Sequence, residues 1–147
     1  MTCASRLSAS PSRARPRPTC ARTRPRPASG STPTSVSELR PGSVQWAWLD
    51  PSVGREQAGR RPVVVVASQD YIDIVTTLVI VVPISRRLRG WANHVPITGV
   101  QELGTSVAMT EQVRTISRDR LEGSIGSVDD ACLARIQTWL GDFLGLT

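Results

Sequence analysis

Two uninterrupted runs of mostly β-branched residues constrain this chain more than any other feature: Pro62-Val-Val-Val-Val-Ala67 and Thr77-Leu-Val-Ile-Val-Val-Pro83. Neither alternates polar with apolar, so each reads as a strand buried on both faces. Ser43-Val-Gln-Trp-Ala-Trp-Leu49 does alternate, which sets Val44, Trp46 and Trp48 on one face of a half-buried strand ending at Asp50-Pro51. Residues 51–60 follow as a polar loop with Gly54 and Gly59. Asn93-His-Val-Pro-Ile97, with Pro96 favouring an edge, Ser106-Val-Ala-Met109 and Val113-Arg-Thr-Ile116 complete about six strands. The end of the chain then changes period. Val128, Cys132, Leu133, Ile136, Trp139, Leu140, Phe143 and Leu144 recur at helical steps. With Ser127 expected as N-cap and a stop near Gly145, they predict an amphipathic helix of about 17 residues. Short strands followed by one helix predict a mainly β fold: a small, strongly curved barrel covered by a C-terminal helix.

The high net charge belongs to one end of the chain. Residues 1–40 carry eight arginines against the single acid Glu38, whereas residues 41–147 carry ten arginines against eleven acids. Lysine is absent. The basic isoelectric point is therefore no evidence that the folded part is basic. The first 40 residues are Arg, Pro, Ser, Thr and Ala with almost no aliphatic side chains. They cannot offset about 1–2 kcal/mol of ordering entropy per residue and are expected to be disordered. Two regions follow: a disordered Arg/Pro/Ser-rich extension, 1–40, and a folded domain, 41–147. The extension reads as a dispensable addition, as translation from an upstream start, or as a polycationic arm; its six prolines count against the amphipathic helix of a transit peptide. It lacks the apolar core of a secretory signal. No stretch approaches the roughly 18 apolar residues of a membrane span. Cys3, Cys20 and Cys132 have no metal-ligand or disulfide spacing, which fits a cytoplasmic home, and Cys132 reads as a small core residue.

Most familiar chemistries fail on inspection. There is no phosphate-cradling loop and no nucleotide fingerprint. His94, the only histidine, has no obvious acidic partner in sequence and reads as an ordinary strand residue. Chemistry must rest on arginines, carboxylates and hydroxyls, and two loops concentrate them: Gly54–Pro62 and Pro83–Gly90. Between residues 55 and 89, Arg55, Arg60, Arg61, Arg86, Arg87 and Arg89 face only Glu56, Asp70 and Asp73. If the two buried runs pair, these loops meet at one rim and attract an anion.

The order Gly42-x-Val, Asp50-Pro, Gly54-x-Glu-Gln-x-Gly-x-Arg-Pro62, Pro83-Ile-Ser85 and Glu111-Gln-Val-Arg-Thr-Ile116 resembles the MazF/PemK family of toxin endoribonucleases over residues 40–146. The resemblance implies an SH3-like barrel with a C-terminal helix, working as a homodimer. It implies metal-independent, sequence-selective cleavage of single-stranded RNA without a cofactor. In that reaction the 2′-hydroxyl attacks the adjacent phosphate and leaves a 2′,3′-cyclic phosphate. An acidic antitoxin is implied as partner. Arg61 matches the family's catalytic arginine, and Ser85 stands where a threonine is usual. Glu56 falls where the family places an acid; it could orient Arg61, act as a base, or form a loop salt bridge. Arg55, Gln57, Arg60, Arg86, Arg87, Trp91, Glu111 and Gln112 are the implied RNA-binding set, with Arg60 the one expected to point elsewhere. Trp91 could stack an unpaired base or pack in an interface, while Trp46, Trp48 and Trp139 read as core or interface. Met109 occupies the position of an assisting arginine in the Kid-like branch, which favours the arrangement built on Arg61 and Ser85. A non-catalytic poison of the CcdB type is the alternative, although such chains end in Trp-Gly-Ile and this one ends Gly145-Leu-Thr147. An inactive paralogue is a third reading.

Overall fold

A computed structural model describes residues 39–146. The expected disordered extension, with Cys3 and Cys20, lies outside the described residues except for Leu39 and Arg40. Within them run β1 (Ser43–Trp48), β2 (Arg60–Val65), α1 (Gln69–Ile74), β3 (Leu78–Ser85), β4 (His94–Pro96), β5 (Val107–Met109), β6 (Arg114–Ser117), β7 (Leu121–Ser127) and α2 (Asp130–Leu144). The strands form one antiparallel path, β4-β5-β3-β2-β1-β7, and β6 also pairs with β3. Among the described residues no ladder joins β4 or β6 to β7, so where the sequence suggested a small, strongly curved barrel the sheet is open.

The two apolar runs are the central pair, joined in the register Val63–Pro83, Val64–Val82 and Val65–Val81. Val63, Val64 and Val65 are fully buried, as expected of a strand with apolar cover on both sides. One side contributes Val44, Val64, Val82 and Ile84 to a core closed by Cys132 and Ile136 of α2, with Leu133, Trp139 and Leu140 packed against it. The other contributes Ala47, Val63, Val65, Val79 and Val81 to a core closed by Ile72 of α1, Ile116 and Leu49. Each fully buried valine is worth about 1.5–3 kcal/mol, so together they dominate the local energetics.

Two local expectations are corrected. Along β1 it is Ser43, Gln45 and Ala47, together with Val44, that are buried, whereas Trp46 is half-buried and Trp48 exposed. Asp129, not Ser127, caps α2: its Oδ1 accepts from the Cys132 amide at 2.8 Å, while Ser127 ends β7 and its hydroxyl donates to the Gly42 carbonyl. Between the two apolar runs, residues 69–74 form a short helix capped by Ser68. The stop at Gly145 is as expected, with a left-handed backbone there and Leu146 N donating to Gly141 O at 2.8 Å. Cys132 is buried, as expected, and its Sγ donates to the Pro96 carbonyl. No helix among the described residues is long and apolar enough to cross a membrane.

Two side contacts lock the frame. Arg118 spreads its guanidinium over the carbonyls of Ile72, Val75 and Leu78, tying α1 to β3. Gly99, at φ +90°, presses on the start of α2; a Cβ there would stand 2.8 Å from Asp129 N and 3.0 Å from Ser127 O. Gly99→Ala therefore combines left-handed strain with a backbone clash, and it should lower the unfolding free energy by at least about 2 kcal/mol in urea melts. Arg118→Ala strands three carbonyls and should cost about 1.5–3 kcal/mol by the same measurement.

Candidate active site

The site begins with how β2 enters the sheet. Trp48 pairs with Arg60 and Ala47 with Arg61, so the two arginines leave the strand on opposite faces. Arg60 turns toward the tryptophans, its guanidinium 4.4 Å from the Trp46 ring centroid. Its Nε donates to Glu122, whose other oxygen accepts from Trp48 Nε1. That Arg60 hydrogen bond is the main cause that holds the Glu122 carboxyl below the ordinary range; desolvation opposes it, and the Trp48 bond and the Arg60 charge add to it. Arg60 is thus already occupied and sits apart from the rest of the set.

Arg61 leaves on the face of Val63 and Val65. Its Nε donates to the Ala58 carbonyl at 3.0 Å, which fixes one edge of the guanidinium against the loop. The β2–β3 ladder ends at Val63–Pro83, and Arg61 and Ser85 each lie two residues beyond that last pair along their strands. Ser85 is buried at the end of β3, where its Oγ accepts from the Arg87 amide at 3.1 Å and retains its own proton to donate. Arg86 and Arg87 follow at once, both exposed.

Beside this rim lies an open cleft of about 280 Å³ lined by Glu56, Glu111, Gln112, Val113 and Arg114. Glu56 closes a tight turn, its Oε2 accepting from Val53 N at 3.2 Å. Gln112 reaches across to that loop: its Oε1 accepts from Gln57 N at 2.9 Å, and its Nε2 donates to Arg55 O at 3.4 Å. The Arg55 side chain is exposed. Glu111 reaches the other way. It accepts from Asn93 Nδ2 at 2.7 Å, and His94 Nε2 lies 3.0 Å from its Oε1. With the carboxylate as acceptor, the ring proton sits on Nε2 and the buried Nδ1 has no partner. The Trp91 ring leans on His94 with centroids 5.0 Å apart, and the Arg89 guanidinium lies 5.2 Å from the Trp91 centroid. About half of Trp91 stays exposed.

The structure therefore brings Arg55, Glu56, Gln57 and Gln112 into one cluster and Trp91 and Glu111 into a second, while Arg61 is held by Ala58 and Ser85 by the Arg87 amide. The reading of His94 as a partnerless strand residue is corrected, because Glu111 is its acid. The signal was present but indirect. His94 pairs with Met109 across β4 and β5, two residues before Glu111, and that pairing cannot be counted until both strands are placed. Arg114, at the cleft, was also not singled out.

The PemK-like, MazF-like toxin family of type II toxin–antitoxin systems matches residues 40–144. The chain belongs to that family. It is 33% identical over 114 residues to the endoribonuclease PemK of Escherichia coli, covering 71% of this chain and 84% of PemK. It is likewise 33% identical over 113 residues to the endoribonuclease EndoA of Bacillus subtilis, covering 74% and 96%. Among solved structures, MazF from Deinococcus radiodurans superposes with a TM-score of 0.65 at 25% identity over 73% of this chain and 96% of that one. The same organism's MazE–MazF complex gives 0.61 at 25% identity over 74% and 97%.

Within this PemK/MazF-like domain, Glu111 holds a buried ring and a loop amide at once. Glu111→Ala should remove about 1–3 kcal/mol of stability in urea melts, because His94 would keep two unpartnered ring nitrogens. Glu111→Gln, which keeps an acceptor, should lose less.

Proposed function

We propose that this chain is the endoribonuclease toxin of a type II toxin–antitoxin pair, cutting single-stranded RNA sequence-selectively at the rim that carries Arg61 and Ser85. The observation that carries the reading is the Arg61 guanidinium, anchored through Nε to the Ala58 carbonyl of the loop that bears Glu56. Family membership and the endoribonuclease relatives support it.

The reaction needs no metal or cofactor. The 2′-hydroxyl attacks the adjacent phosphorus and passes its proton to Glu56. The bond to the 5′-oxygen breaks, and that oxygen takes up a proton, leaving a 2′,3′-cyclic phosphate and a 5′-hydroxyl. Charge builds on the phosphoryl oxygens in between. A guanidinium already anchored through Nε to Ala58, with both Nη groups unspent among the described residues, offers paired donors with little reorganisation. The Ser85 hydroxyl donates to the same phosphate. Exposed Arg55, Arg86 and Arg87 hold neighbouring phosphates, and Trp91 stacks an unpaired base. The toxin unit is residues 41–147, curved as an SH3-like barrel and acting in the cytoplasm as a homodimer. An acidic antitoxin neutralises it, as the MazE–MazF complex of the Deinococcus relative suggests.

The test is cleavage of single-stranded RNA by purified protein with chelator present, with mapping of 5′-hydroxyl ends. Arg61→Ala should cut at least about 100-fold more slowly than wild type. Ser85→Thr should stay active and Ser85→Ala should not. An Arg61→Ala protein that cuts like wild type removes the mechanism.

A further inference from the structure

The loop between β1 and β2 carries Arg55, Glu56 and the Ala58 carbonyl that anchors Arg61, yet little holds it. Residues 53–56 and Ala58 are exposed, and Gly54 and Gly59 both have positive φ. Its turn closes on itself through Val53 and Glu56. Across the cleft, one side chain reaches it: the Gln112 amide, which accepts from Gln57 N at 2.9 Å and donates to Arg55 O at 3.4 Å. Gln112 itself is fixed at its base, since it closes the 3₁₀ turn Thr110–Gln112, whose Thr110 is buried and donates through Oγ1 to Asn93 O at 2.8 Å.

We propose that Gln112 is a positioning residue, a clasp that holds the backbone of residues 55–57 where Glu56 and the Ala58 anchor of Arg61 serve catalysis. Each end of its amide bonds that backbone, so its action on the reaction runs through the loop. The proposal deepens the nuclease reading and rests on it for its catalytic consequence. The clasp itself does not.

Two measurements separate these. In the free protein without RNA, Gln112→Ala should speed amide hydrogen exchange at Gln57 and its loop neighbours by about fivefold or more, with β2 and β3 amides unchanged as a folding control. Gln112→Glu keeps the acceptor for Gln57 N and loses only the longer bond, so exchange at Gln57 should stay near wild type. In RNA cleavage, Gln112→Ala should lower kcat about tenfold with KM little changed and the same sequence cut. Unchanged loop exchange in Gln112→Ala, or a raised KM with an altered cleavage sequence, overturns the proposal, since either marks a direct RNA contact. If wild type cuts no RNA at all, the nuclease reading falls while the exchange experiment still decides the clasp.

Discussion

Burial on both sides of β2 holds it against β3, and the register of that pairing decides which groups reach the rim. The side-chain period of a strand is two, so a slip of one residue would exchange every inward and outward position. Val63 and Val65 would move to the helix side and Val64 to the other. Because both sides are apolar, burial alone would not forbid this. What forbids it is the ends of the run. Arg60 meets Trp46, Trp48 and Glu122 on one face, and Arg61 meets the Ala58 carbonyl on the other. The valines supply the energy of the pairing, and the adjacent arginines supply its phase.

The domain is nearly neutral, yet its arginines are far from equivalent. Arg118 is consumed by three carbonyls, where a planar fork of donors can satisfy several acceptors that a lysine could not. Arg60 is neutralised by Glu122. Arg61 is held by one edge alone, which leaves the rest of the fork aimed at whatever enters. Arg55, Arg86 and Arg87 are exposed and compete with solvent. Net charge carries none of this information; what matters is which donors remain unspent.

The same distinction explains what the sequence could reveal. The central strands and α2 were legible because their signals are local: unbroken β-branched runs and a 3.6-residue period. The family itself was legible through motif order, which reports a shared fold without requiring that it be derived. β7 was not, because Leu121-Glu-Gly-Ser-Ile-Gly-Ser127 has two glycines and little apolar content; it is a strand only because β1 lies alongside, with two register shifts in that ladder. The cap of α2 was misplaced by two residues because Ser127 and Asp129 are both competent caps. The choice falls to where β7 ends and not to either side chain. The His94–Glu111 pair needed two strands placed before it could be seen.

That pair and the Gln112 contacts have a common topological origin. β5 and β6 lie along the same edge of β3: Ile84 pairs with Ala108, and Val81 with Arg114. Three steps along β3 thus face six along the neighbouring chain, and the surplus is taken up by the 3₁₀ turn Thr110–Gln112. A regular ladder would have sent Glu111 and Gln112 to opposite faces of a continuous sheet. The break lifts both out of the sheet, with Glu111 toward Asn93 and His94 and Gln112 toward the loop before β2. The two walls of the cleft are therefore referred to one rigid point, itself pinned through the buried Thr110. A mismatch in strand pairing that could have been a defect instead sets the spacing of the groups around the rim.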